Sequence, residues 1–315
     1  MNQPIFHPQP HSKVEVVAMR LLFALVVWDF IPWRLPQTEL DRPVGLAGMG
    51  MDLGFLANPA VLVPVNWVAV VLLCLYVAGP WRWLTTTLLF ALTVLLGTYA
   101  NSTGDLKHHH QIVSLILLAQ TLWHLYNLIR HRVSKDETGS GRWEAFVSQQ
   151  AIVVAYIVTG ITKLKTSGVG WISVASNYGP VHLREANRSA YYGTLETSTD
   201  AGTAVEKLMI EHPYAARAML AGGLFLELLA VLALLGRTWS FVYGCLLVLF
   251  HTLNSVVMNL NFRWHNEVVA IFLIMPPALA FLQHWSEKRT RQQQRSVEHR
   301  PRKVQPRHQN PGREE

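Results

Sequence analysis

Cysteine is nearly absent from this 315-residue chain: only Cys74 and Cys245 occur, and both lie inside apolar runs. A disulfide framework and a cysteine-based zinc site are thereby excluded. Charge is scarce as well, at 15% Asp, Glu, Lys and Arg, where soluble domains average about 25%. Half the residues are hydrophobic and eleven are Trp. Such a composition excludes an ordinary water-soluble globule, and away from the ends it excludes disorder. A polytopic membrane protein remains.

The net charge of +7 is unevenly spread. Residues His284 to Glu315 hold nine Lys/Arg against four Asp/Glu, and the rest of the chain eighteen against sixteen. A basic, Gln- and Pro-rich tail of this kind holds a membrane end on the cytoplasmic side, and nucleic acid is not expected as a partner. The first apolar run carries Arg20 and Asp29 without a small-x-small cleavage pattern, so it reads as a retained span rather than a signal peptide.

Crossing a bilayer takes about 20 apolar residues in a helix, because lipid offers the backbone no hydrogen-bond partner. Eight segments meet that measure: Val14–Ile31, Pro59–Ala78, Leu84–Ala100, Gln111–Ile129, Ala145–Lys163, Ala215–Leu235, Ser240–Leu260 and Val268–Leu282. The last is short and contains Pro276-Pro277, which leaves seven spans as the alternative. The expected fold is an all-α polytopic transmembrane helical bundle of about eight spans, with short interfacial helices on the outer face. Its parts are an N-terminal segment 1–13, a membrane domain 14–283 with a long connection 164–214, and a disordered tail 284–315. Sixteen Lys/Arg fall on the side of the termini and ten on the other, which predicts both termini inside and an integral membrane location, the inner membrane for a bacterial chain.

Ionisable groups at membrane depth cost about 2.5–3.5 kcal/mol each on insertion scales and call for a reason. Glu227 is central to the sixth segment. His251 is central to the seventh, with Asn254 and Ser255 at i+3 and i+4, on one helix face. These residues either form a polar pocket or join helices by hydrogen bonds. Arg20 and Asp29 suit snorkelling or structural ion pairs, and Arg20 and Glu227 are possible partners. Lys163 closes the fifth segment as either a snorkelling lysine or a partly desolvated general base, with Gly160 permitting close approach of a backbone or flat ligand. The run His108-His109-His110 cannot put three rings on one ion in a regular helix, since neighbours point about 100° apart. No metal is expected there.

The stretch Tyr156-x3-Gly160-x2-Lys163-Leu164, followed by Trp171, resembles the lysine motif of vitamin K-dependent gamma-glutamyl carboxylase. Bacterial horizontally transferred transmembrane (HTTM) domain proteins share it more loosely. Phe250-His251-x2-Asn254-Ser255, then Phe262 and Pro276-Pro277, resembles a second stretch, and Asn101 to His110 a third. Arg20 fits the family's early arginine. The resemblance covers most of residues 14–282. It implies that Lys163 deprotonates reduced vitamin K, a menaquinol-type quinol, for reaction with dioxygen, and that His110 supports a carbanion that takes up carbon dioxide. His251, Asn254 and Ser255, with Gly160 and Tyr156, would line the cofactor pocket. The implied partners are the bilayer, an isoprenoid quinone or lipid, and a secreted protein substrate. Two features depart from the carboxylase pattern: Thr162 stands where it has a second lysine, and the large soluble substrate-binding region is missing. A non-catalytic quinone- or lipid-binding or partner-docking protein is the rival reading. A transporter is disfavoured because inverted repeats and paired broken helices are not evident.

Overall fold

The computed structural model describes residues 6–35, 43–103, 110–130, 137–174, 208, 211–258, 260 and 262–298, with the side chains of 110, 137–140, 174 and 293–298 outside that description. Among the described residues all regular structure is helical. Eight long helices follow one another: α1 (Lys13–Phe30), α2 (Pro59–Ala78), α3 (Arg82–Ser102), α4 (His110–Ile129), α5 (Glu137–Ser167), α6 (Pro213–Leu228), α7 (Arg237–Met258) and α8. The last begins as Arg263–Val269, passes through a π-helical turn at Ala270–Ile274 and continues as Met275–Glu298. Short helices occupy Gly45–Gly48, Gly54–Ala57, Gly170–Val174 and Ala230–Leu234.

Local chemistry sets the helix ends. Ser12 caps α1 in a capping box: Glu15 N–H donates to Ser12 Oγ at 3.2 Å, and Ser12 N–H donates to Glu15 Oε2 at 3.0 Å. Two orphan backbone donors are satisfied at once. Asn58 accepts from Ala60 N–H at 2.9 Å to start α2, with Pro59 at the first helical position. Gly79, at φ 90°, ends α2 in the left-handed conformation that glycine adopts without strain.

Among the described residues six helices are long and apolar enough to cross a membrane: Pro59–Ala78, Arg82–Ser102, Gln111–Ile129, Gly141–Ser167, Arg237–Met258 and Arg263–Gln292. Two other expected spans fall outside this group for visible reasons. Helix α1 holds Lys13, Glu15, Arg20 and Asp29 within eighteen residues. Helix α6 ends after sixteen residues, and the 3-10 segment Ala230–Leu234 follows it. Residues 175–207 of the long connection lie outside the described residues, so its expected interfacial helices do too, apart from Gly170–Val174.

The bundle is apolar outside and carries its polar groups inside. Val63, Trp67, Val68 and Val71 of α2 are exposed, while Asn66 on the same helix is buried. Glu15, Arg20, Gln120, Glu144, Ser148, Glu227, His251 and Asn254 are buried as well. Lipid accepts the first arrangement and water does not. These helices therefore form an integral membrane bundle.

Contacts divide the chain into two compact units, Met1–Pro277 and Ala278–Glu315. The core lies in the first, where Phe23, Leu89, Ile116, Leu117, Ile152 and Leu273 are fully buried. Within the second, the Arg289 guanidinium stacks 3.6 Å from the Trp285 ring centroid.

Candidate functional site

The sequence of α5 carries one polar face. Glu144, Ser148, Tyr156, Gly160 and Lys163 recur at helical spacing, which stacks them along one side of a long helix. Two separate polar clusters form along this face.

The first cluster is closed. The Arg20 guanidinium clasps Glu144 through both oxygens, Nε to Oε1 at 3.0 Å and Nη2 to Oε2 at 2.9 Å. Tyr76 donates to Gln120 Oε1 at 3.1 Å, and Gln120 donates to Ser148 Oγ at 2.9 Å. His124 Nε2 stands 3.7 Å from Glu144 Oε2. All of these side chains are buried. A bidentate pair is the form in which a charge survives inside a low-dielectric bundle. Arg20 thus pairs with Glu144, not with Glu227, and the alternative left open by the sequence is settled. Glu144, at the edge of an apolar run, gave no signal except its helical register with Ser148 and Tyr156.

The second cluster opens on a cavity of about 1020 Å³. Helices α3, α4, α5 and α7 contribute most of its wall, and Trp171, Glu227, Leu260, Phe262 and His265 complete it. Lys163, Tyr156, His251 and Asn254 all line it. The Lys163 Nζ donates to Glu227 Oε1 at 2.5 Å, and it lies 5.2 Å from the Trp171 ring centroid. The Lys163 side chain is 22% exposed and that of Glu227 only 5%. Gly160 explains the approach. A Cβ there would meet Leu228 Cδ2 at 3.1 Å and Glu227 Cβ at 3.2 Å. Without one, α6 comes close enough to put Glu227 beside Lys163. Gly160 therefore serves helix contact and does not line the cavity.

A second pole is aromatic. The Tyr156 hydroxyl and His251 Nε2 are 2.5 Å apart, with either able to donate according to the imidazole tautomer. The His251 ring lies 4.4 Å from that of Phe262 and 5.5 Å from that of His265. Among the described residues Glu227 Oε2, His251 Nδ1 and Asn254 Oδ1 are buried without a hydrogen-bond partner. Native structures rarely leave such atoms unsatisfied, and three around one hollow point to a polar ligand or ordered water.

Ser255 departs from its expected company. It is exposed, and its hydroxyl donates back to Thr252 O at 2.9 Å. One residue beyond Asn254 is about 100° around the helix, which carries it past the buried face. His110 opens α4, and Gln111 next to it lines the cavity. The His110 side chain, with His108 and His109, lies outside the described residues. Glu227 was visible in the sequence as a mid-span carboxylate, but its role as the partner of Lys163 follows only from the folded geometry. The turn Phe262 to His265 falls with Lys163 on the outer face that the span order predicts, and the structure puts His265 on the cavity beside His251.

No family model matches this chain, and neither the curated proteins nor the solved structures contain a match to it.

Proposed function

We propose that the chain is an integral membrane, carboxylase-like enzyme of the HTTM kind. In this reading Lys163 initiates chemistry on a reduced vitamin K-type quinol, with dioxygen and carbon dioxide as co-substrates and gamma-carboxylation of glutamate as the outcome. One observation carries it. A single large cavity within the bundle gathers Lys163, Tyr156, His251 and Asn254, with Glu227 against the lysine. His110 is assigned to the same chemistry by resemblance, at the end of α4 that borders the cavity.

The residues present suit such a ligand. Most of the wall is apolar, as a greasy flat molecule requires, with few polar groups to orient it. Glu227 Oε2 and Asn254 Oδ1 are acceptors without donors among the described residues, and ring hydroxyls supply donors. Val154 and Val158 line the cavity and are 51% and 55% exposed, an apolar opening suited to an isoprenoid tail. The quinol, when bound, supplies the ring that reacts with dioxygen. The chain's own part is to seat that ring, exclude water and move a proton at the Lys163 nitrogen.

The same proposal includes eight spans, interfacial helices in the connection 164–214 and cytoplasmic termini. The charges of α1 favour its inclusion. Arg20 is neutralised by Glu144, Glu15 by Arg237, and Asp29 accepts from Trp264 Nε1 at 2.8 Å. Helix α6 with the following 3-10 segment approaches a full span in length. A secreted protein substrate is the partner this activity calls for.

Oxygen uptake by the protein in lipid nanodiscs, supplied with a reduced short-chain menaquinone, tests the reading. Wild type consumes oxygen, and Lys163→Met with Glu227→Gln does not, while both retain bound quinone. The double variant is chosen because Lys163→Met alone strands Glu227. A second reading, a non-catalytic quinone or lipid binder, draws on the salt bridge itself, since an amine held by a carboxylate has a structural role to fill. Quinone that copurifies with wild type without oxygen uptake favours the binder.

A further inference from the structure

The carboxylate beside Lys163 has a second oxygen that nothing occupies, and that asymmetry has chemical content. Glu227 Oε1 takes Lys163 Nζ at 2.5 Å, while buried Oε2 has no hydrogen-bond partner among the described residues. A purely structural ion pair in apolar surroundings engages both carboxylate oxygens, as Glu144 does through its two bonds to Arg20. The Lys163–Glu227 pair does not. It also borders the cavity, whereas the Arg20–Glu144 pair is closed off from it.

We propose that Glu227 is the proton acceptor of the site, acting through Lys163 as its positioning partner. The inference rests on the reading that the cavity takes a ring bearing an acidic hydroxyl. At rest Lys163 is an ammonium held by the Glu227 carboxylate. With a ring hydroxyl at the amine, an N–H bond of Lys163 breaks and an O–H bond forms on Glu227 Oε1. The freed amine then takes the hydroxyl proton: the ring O–H breaks and a new N–H forms. In net one proton passes from the ring hydroxyl to Glu227 by way of the amine, the ammonium is restored beside the ring oxyanion, and no electron changes hands. The 2.5 Å separation places donor and acceptor within direct transfer reach. Gly160 fixes that separation by admitting Glu227 Cβ so close to α5. Trp171 holds the ammonium from another side by its ring face.

The test uses the full chain in lipid nanodiscs with 2-methyl-1-naphthol under strictly anaerobic conditions, so that the ring hydroxyl can lose a proton but not electrons. Naphtholate absorbance reports ring deprotonation, and ligand-induced infrared difference spectra report the C=O stretch of a protonated carboxyl. Wild type is expected to form naphtholate together with one new carboxyl band per bound probe, releasing no proton to buffer. Glu227→Gln keeps an oxygen to accept from Lys163; it binds the probe but loses the band and releases a proton for each naphtholate formed. Glu227→Asp restores a band at shifted frequency, which a merely structural role does not predict. Naphtholate in wild type without the band, or a band that persists in Glu227→Gln, overturns the inference and leaves the ring-binding reading standing. Failure of wild type to bind the probe, or binding without deprotonation, overturns the ring-binding reading and the inference with it.

Discussion

Gln149 donates a hydrogen bond at 2.8 Å to the carbonyl of Phe272, an oxygen for which Pro276 supplies no N–H. Ser240 does the same for the Leu273 carbonyl at 3.0 Å, four residues before Pro277. Two consecutive prolines remove two helix donors, and the backbone passes through a π-helical turn at Ala270–Ile274 just before them. In a membrane the freed carbonyls need partners from neighbouring helices, and α5 and α7 each supply one. Gln149→Leu is expected to destabilise the protein by about 1–3 kcal/mol, the cost of stranding a buried acceptor. Pro276→Ala, which returns an N–H, reduces that loss. Thermal unfolding of both single variants and the double variant in detergent measures the coupling, and additive losses refute it.

The Arg20–Glu144 pair yields a prediction of opposite shape for single and double changes. Glu144→Leu alone leaves a buried guanidinium without its carboxylate and is expected to cost about 3–5 kcal/mol. Arg20→Met combined with Glu144→Leu is expected to recover most of it, because no uncompensated charge remains. The same detergent unfolding assay reads both. Equal losses in the single and double variants would mean that packing, and not charge, dominates this cluster.

His11 makes the N-terminal segment sensitive to acid. Its ring is buried, and burial pushes its pKa below the ordinary 6.5 against the opposing pull of Glu15, with Arg237 and Arg142 adding to the depression. His11 Nδ1 is 3.0 Å from Glu15 Oε2, and Arg237 also bonds Glu15 and the Pro10 carbonyl. Because the folded state binds the proton less readily than the unfolded one, stability is complete above about 6.5 and falls as pH drops below it. The hydrogen-exchange protection of residues 6–16, corrected for the intrinsic pH dependence of amide exchange, is expected to fall on acidification. His11→Gln flattens the dependence, and an unchanged profile in that variant refutes the assignment.

Gly160 is predicted to be intolerant of any side chain. Gly160→Ala must displace Leu228 or Glu227 by a few tenths of an ångström, and Gly160→Leu is expected to lose about 1–3 kcal/mol through overpacking. The naphtholate-linked carboxyl band should weaken in parallel, since the Lys163–Glu227 contact depends on that approach. Stability and band intensity that respond independently would separate the two roles.

How much of this could be read from the chain alone differs from residue to residue. The transmembrane character was legible because a helix facing lipid on most sides must be apolar on most sides, and α2 announces itself by that rule. The polar stripe of α7 was legible in register, yet Ser255 was counted with His251 and Asn254 although it faces outward. Spacing constrains the face of a helix only to within a residue, and neighbours decide where burial ends. Lys163 drew attention by sequence, and the Gly160 near it did as well, but spacing left open whether a backbone or a ligand comes close. The Leu228 and Glu227 side chains of α6 do.

Partner choice was the work of tertiary structure. Composition and hydropathy fixed that this protein lives in a membrane as helices, since the cost of an unpaired backbone in lipid acts on every segment by itself. Glu144 and Glu227 on one side and Arg20 and Lys163 on the other admit more than one pairing, however, and only helix packing sorts Arg20 to Glu144 and Lys163 to Glu227. The same packing leaves a hollow beside the second pair and closes the first. A charge taken out of water is costly unless a partner meets it at contact distance, so which helices touch decides which charges meet, and that is information no single segment of the chain contains.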